Sequence, residues 1–124
     1  MKLVRLWAPA ILWAVLIFVL SDQPSLKTDL TYDLILRKCA HVAEYFILTF
    51  FLRRAFEGSF RMRNHLLLLA SGASALLYAA SDELHQRFVP GRNGCMRDVF
   101  IDACGIFLCL AVIKLNVTSM QKAS

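Results

Sequence analysis

Ser81-Asp82-Glu83-Leu84-His85-Gln86-Arg87-Phe88-Val89-Pro90-Gly91-Arg92 sets acids, an imidazole and two guanidinium groups between two strongly apolar segments. Upstream, residues 66–80 carry no charge; downstream, residues 99–115 are interrupted only by Asp102 and Lys114. Charges at the rim of hydrocarbon are costly to desolvate and persist where they pair, face a cavity or bind something. The stretch therefore reads as the polar junction of two membrane helices, and as the place to look for a site.

Composition supports an apolar solvent. Of 124 residues, 58% are hydrophobic, with a mean hydropathy of +0.56, against roughly 45–50% in soluble domains. A chain this short has too much surface per unit volume to hide that much apolar area in water. The net charge of +5 raises the possibility of nucleic acid. The basic residues, however, lie in loops between apolar runs, with no basic helix or aromatic-studded basic surface to follow a phosphate backbone. Anionic lipid headgroups account for the excess more simply. Cys39, Cys95, Cys104 and Cys109 show no metal spacing. Cys104 and Cys109 sit in an apolar run as small packing residues, and a Cys39–Cys95 disulfide is conceivable but has no framework pattern behind it.

Four apolar segments follow, predicting helices over about 3–20, 34–53, 65–86 and 98–115, with 116–124 as a short polar tail. Each approaches the roughly 20 residues needed to span a bilayer once its polar ends are included. No alternating pattern of a membrane barrel appears. The fold class expected is all-α, a polytopic four-transmembrane-helix bundle forming one domain over 1–124. Met1-Lys2-Leu3-Val4-Arg5 before an apolar core has the look of a secretory signal, but no A-x-A site follows, so an uncleaved first helix is the better reading. With the N-terminus cytoplasmic, Arg53, Arg54, Arg61 and Arg63 fall inside, as do Lys2, Arg5, Lys114 and Lys122; Lys27, Arg37, Lys38, Arg87, Arg92 and Arg97 fall outside. The four-arginine loop favours this orientation, with both termini in the cytoplasm. Trp7 and Trp13 are expected to face lipid or belt the membrane, and His65 to start a helix at the opposite interface.

At the outer end, three helices bring polar faces to one level. Lys38, His41, Glu44 and Tyr45 are three or four residues apart on the second helix, as are Tyr78, Ser81, Asp82, His85 and Gln86 on the third. Asp98 and Asp102 lie one turn apart on the fourth, Asp102 about 6 Å deeper. Such faces satisfy each other only by meeting. The first helix offers no polar group of this kind. Ala70-Ser71-Gly72-Ala73-Ser74-Ala75 permits close helix approach, which places the third helix at the centre.

Taken together, Lys38-x-x-His41-x-x-Glu44-Tyr45-Phe46, the Ser81–Arg92 run, and Asp98-Val99-x-x-Asp102-x-x-Gly105 resemble the VanZ-like family over about residues 5–115. The resemblance implies a small polytopic protein of the bacterial cytoplasmic membrane; the founding type is linked to teicoplanin resistance. It implies no settled biochemical activity. Asn93-Gly94-Cys95-Met96 departs from the small polar residues expected after Pro-Gly-Arg.

Two classes of function compete. In the first, an outer-face site binds or modifies an anionic envelope amphiphile: a membrane lipid, a cell-wall lipid intermediate or a glycopeptide-related ligand. Lys38, His41, Glu44, Tyr45, Ser81, Asp82, Glu83, His85, Gln86, Arg92, Asp98 and Asp102 would line it, with the Arg92 fork suited to phosphate or carboxylate. In the second, the protein is a membrane-embedded enzyme on a lipid-linked substrate, with His41 or His85 as general base and Glu44 or Asp82 orienting it. Against both stands a structural ion-pair network in which Lys38, Arg92 or Arg97 neutralises Glu44, Asp82, Asp98 and Asp102. Two histidines with several carboxylates can hold a divalent metal, but the resemblance implies none, so neither a metal nor a cofactor is expected. No nucleic acid partner is expected, and a homo-oligomer is compatible with the chain.

Overall fold

A computed structural model describes residues 1–23, 31–92 and 94–123; Lys27 and Asn93 lie outside them. The described residues form four helices and no strand: α1 (Lys2–Ser21), α2 (Thr31–Ser59), α3 (Asn64–Gln86) and α4 (Met96–Ala123). The chain is all-α. Trp7 meets Ser59 and Trp13 meets Glu44, Arg53 meets Asn64, and Glu83 meets Cys95. These pairings run each helix antiparallel to the next, so α1 and α3 point one way, α2 and α4 the other.

α1 is the one described helix long and apolar enough, by length and composition, to cross a membrane, with a mean hydropathy of 2.3. The others give up hydropathy to the polar residues at their ends. α2 and α4 run longer than the apolar pattern suggests. Residues 116–123, expected as a polar tail, continue α4, and the hydroxyls of Thr118 and Ser119 turn back onto the carbonyls of Lys114 and Leu115. Those bonds let polar residues stay helical. Pro9 lies inside α1, where it removes one backbone donor near the helix start without ending it.

α2, not α3, is the central helix. Both α2 and α3 meet all three other helices, as a central α3 requires, but α2 packs the more extensively, while α1 and α4 make no direct contact among the described residues. The small face of α3 does pack, burying Ser71, Gly72, Ala75 and Ala79. The closest backbone approach, however, is made by Gly105 of α4 to Val42 of α2. The core joins Ile17, Tyr45, Leu48, Ala75, Ala79 and Ile106, one or two side chains from each helix.

Both tryptophans face α2 rather than lipid. Trp7 Nε1–H donates to Ser59 Oγ and Trp13 Nε1–H to the Glu44 carbonyl, each at 2.9 Å. An indole N–H away from water needs such an acceptor, and a neighbouring helix supplies it. The four cysteines are free; Cys109 is buried, whereas Cys39, Cys95 and Cys104 are exposed. Cys104 thus does not pack as its apolar surroundings suggested. Much of the outer surface is apolar, with Leu69, Leu77, Phe100, Phe107 and Leu115 each more than 60% exposed, an unusual surface for a chain surrounded by water.

Candidate functional site

One end of the bundle gathers the last turns of α1 and α3, the first half of α2 and the start of α4. Its centre is His41 Nδ1 against Asp102 Oδ1 at 2.9 Å. Asp102 is fully buried, while the His41 side chain is 21% exposed, so the pair has a dry side and an open side. The contact exists because α4 lies so close to α2. A Cβ on Gly105 would stand 2.2 Å from the Val42 carbonyl oxygen, so only glycine lets the two backbones meet one turn below the pair.

Asp82, 3% exposed, is held by three elements. Ser21 Oγ donates to its Oδ2 at 2.7 Å, Gln86 Nε2 at 3.2 Å, and Tyr45 Oη makes a long contact at 3.5 Å. Glu83, 4% exposed, accepts the Cys95 backbone N–H on Oε2 at 3.0 Å. The loop that presents this N–H turns at Gly91, whose φ of 79° is the left-handed conformation. It then returns so tightly that a Cβ on Gly94 would stand 2.2 Å from the Glu83 carbonyl oxygen. Glu44, half-buried, lies within electrostatic reach of His41, Asp102, Asp82 and Arg92. Asp98, also half-buried, lies within reach of Glu83 and Asp102.

One oxygen of each buried acid is left over. Asp82 Oδ1, Glu83 Oε1 and Asp102 Oδ2 have no hydrogen-bond partner. No salt bridge among the described residues links Asp82, Glu83 or Asp102 to a lysine or arginine. A buried carboxylate oxygen without a donor is costly, so the arrangement suits something positive or proton-bearing.

Of the residues expected at the site, His41, Glu44, Tyr45, Asp82, Glu83, Gln86, Asp98 and Asp102 come together. Four do not. Lys38 is exposed. Ser81 is exposed and donates to the Tyr78 carbonyl, because it falls on the outer face one residue before Asp82. His85 turns to Asp22 Oδ1 at 3.2 Å and lies against the Phe18 ring, away from His41. Arg92 donates from Nε to the Gln23 carbonyl and from Nη2 to the Leu20 carbonyl, at 3.0 and 3.1 Å. It satisfies the orphan end of α1 rather than a carboxylate. Of the expected neutralisation of Glu44, Asp82, Asp98 and Asp102 by Lys38, Arg92 or Arg97, the charge of Arg92 lies within electrostatic reach of Glu44, while Asp102 pairs with His41 and Asp82 is held by neutral donors.

α1 was expected to add nothing polar here, yet its last residue, Ser21, donates to Asp82, and Asp22 and Gln23 just past its end meet His85 and Arg92. The available signal was slight: Ser21 and Asp22 directly follow the apolar run. The Cys95 backbone N–H had no signal at all, since main-chain donors carry no sequence signature.

A family model described as VanZ/LLP1 matches residues 6–117. The chain belongs to the VanZ/LLP1 family. A curated relative, the uncharacterized membrane protein YwnJ of Bacillus subtilis (strain 168), is 37% identical over 82 residues, which cover 65% of this chain and 51% of YwnJ. The chain thus spans about half the length of the curated relative it matches. No solved structure matches significantly. With the apolar α1, this kinship makes the chain a VanZ/LLP1 membrane protein, and the three motifs that resembled the family are those that build the buried cluster.

Proposed function

We propose that this VanZ/LLP1 protein is a multi-pass protein of the bacterial cytoplasmic membrane, with both termini in the cytoplasm, and that it binds the polar head of an envelope amphiphile. The head would sit in the acid–imidazole cluster at the outer face. The observation that carries this reading is the His41–Asp102 pair, open on the His41 side, beside three buried carboxylate oxygens without donors. The apolar side chains around that end, among them Leu77, Phe88 and Phe100, suit acyl chains lying alongside, so one ligand with two chemistries fits both surfaces.

The test is lipid retention. The protein is purified in mild detergent and the co-purifying lipids are identified for wild type, His41→Ala and Ser81→Ala. Wild type and Ser81→Ala retain a defined lipid class, and His41→Ala loses it. Equal retention in all three refutes the reading, and a new species accumulating in His41→Ala moves it to catalysis on a lipid-linked substrate. Should the amphiphile be a cell-wall intermediate, expression shifts teicoplanin sensitivity, and unchanged inhibition across several glycopeptides counts against that extension.

A further inference from the structure

We propose that His41, Glu83 and Asp102 form a site for one divalent transition cation of the Zn²⁺ or Mn²⁺ class. The three residues come from α2, α3 and α4, and one ligand atom from each lies within 4.8 Å of the other two. Ligands of an ion with bonds of about 2.1 Å stand about 3.4 Å apart in a tetrahedral site and about 3.0 or 4.2 Å apart in an octahedral one, so a modest rotamer adjustment closes the set.

Proximity of acids alone would not make this a site. The second observation is that Glu83 Oε1 and Asp102 Oδ2 have no partner, on side chains only 4% and 0% exposed. The 2.9 Å between His41 Nδ1 and Asp102 Oδ1 also matches adjacent ligands of an ion with 2.1 Å bonds, about 3.0 Å apart. The ion would take the place of the proton between them, with His41 neutral. Two carboxylates cancel its charge, so the filled site costs less to keep dry than the bare acids. One imidazole with two carboxylates favours Zn²⁺ or Mn²⁺ over Ca²⁺. Three protein ligands leave further positions open, and 21% exposure at His41 gives a way in.

This departs from the expectation that the chain holds no metal. It also explains how an acidic cluster takes an anionic head, since the ion's open positions accept phosphate oxygens. That last step rests on the headgroup reading; the cation site does not.

The experiment uses the full chain in detergent, stripped with chelator and titrated with Zn²⁺ alone and with Mn²⁺ alone. One ion binds per chain, and Co²⁺ in its place shows visible absorption of a protein-ligated ion. Glu83→Gln weakens binding at least tenfold while remaining folded, because its amide oxygen still accepts the Cys95 N–H; Asp102→Asn is the companion variant. Ser81→Ala binds as wild type. Absence of binding of both ions by wild type, or unchanged affinity in folded Glu83→Gln, overturns the site. In vesicles of phosphatidylglycerol, chelation lowers co-purified phosphorus per chain severalfold. Retention indifferent to chelation, in protein that binds the ion, overturns the bridging step alone. Loss of retention in His41→Ala but not on chelation overturns the bridge and leaves the headgroup reading standing.

Discussion

Replacing Gly105 by alanine sets helix propensity against packing, and the two predict opposite signs. Propensity alone favours alanine inside a helix by about 1 kcal/mol. Packing opposes it. The new Cβ stands 2.2 Å from the Val42 carbonyl oxygen and 3.0 and 3.1 Å from the Val42 carbonyl carbon and Cα, where ordinary contact begins at 3.4 Å. The shortfall at the oxygen is 1.2 Å, and every atom in the way is backbone of the central helix, so no side chain can rotate aside. Helices α2 and α4 must separate, at an overpacking cost of about 1–3 kcal/mol. His41–Asp102 lies one turn away at 2.9 Å, and an opening of about 1 Å takes it beyond hydrogen-bond reach. Asp102 then has two bare oxygens, at about 1–3 kcal/mol. The net is a loss of about 3 kcal/mol. Unfolding by SDS in mixed micelles, followed by Trp7 and Trp13 fluorescence, measures it. In a His41→Ala background the same change costs about 2 kcal/mol less, because the pair is already gone. A Gly105→Ala protein as stable as wild type, or more so, refutes the close approach of α2 and α4.

Other substitutions probe the remaining contacts. Ser21→Ala removes the 2.7 Å donor to Asp82 and costs about 1 kcal/mol in the same assay, since Gln86 still donates; no change means α1 does not close the site. Arg92→Lys gives up one of two bonds to the Leu20 and Gln23 carbonyls, costs about 1 kcal/mol, and raises hydrogen exchange at the end of α1. Gly91→Ala forces a side chain into φ 79° at about 1–2 kcal/mol, read as a lowered melting temperature. Trp7→Phe loses the Ser59 bond but keeps an aromatic ring near Phe56, for about 1 kcal/mol; a tenfold larger loss would mean the indole carries more than this contact.

Four helices, their approximate centres and the end at which their polar faces meet were legible in the chain, because three- and four-residue spacing is a local property of each segment. His41, Asp82, Glu83 and Asp102 stood out for the same reason: ionisable groups beside long apolar runs are costly and therefore conspicuous. Which neighbour each group meets was decided by tertiary structure. His85 shares the helical spacing of Asp82 yet turns to Asp22, and Arg92 gives its hydrogen bonds to the end of α1 rather than to an acid. Centrality passed from α3 to α2 because the Gly105–Val42 approach depends on two backbones far apart in sequence. Ser21 and the Cys95 N–H join the site through a helix end and a tight loop. Spacing along one helix says which side chains share a face, but only packing between helices says what that face touches.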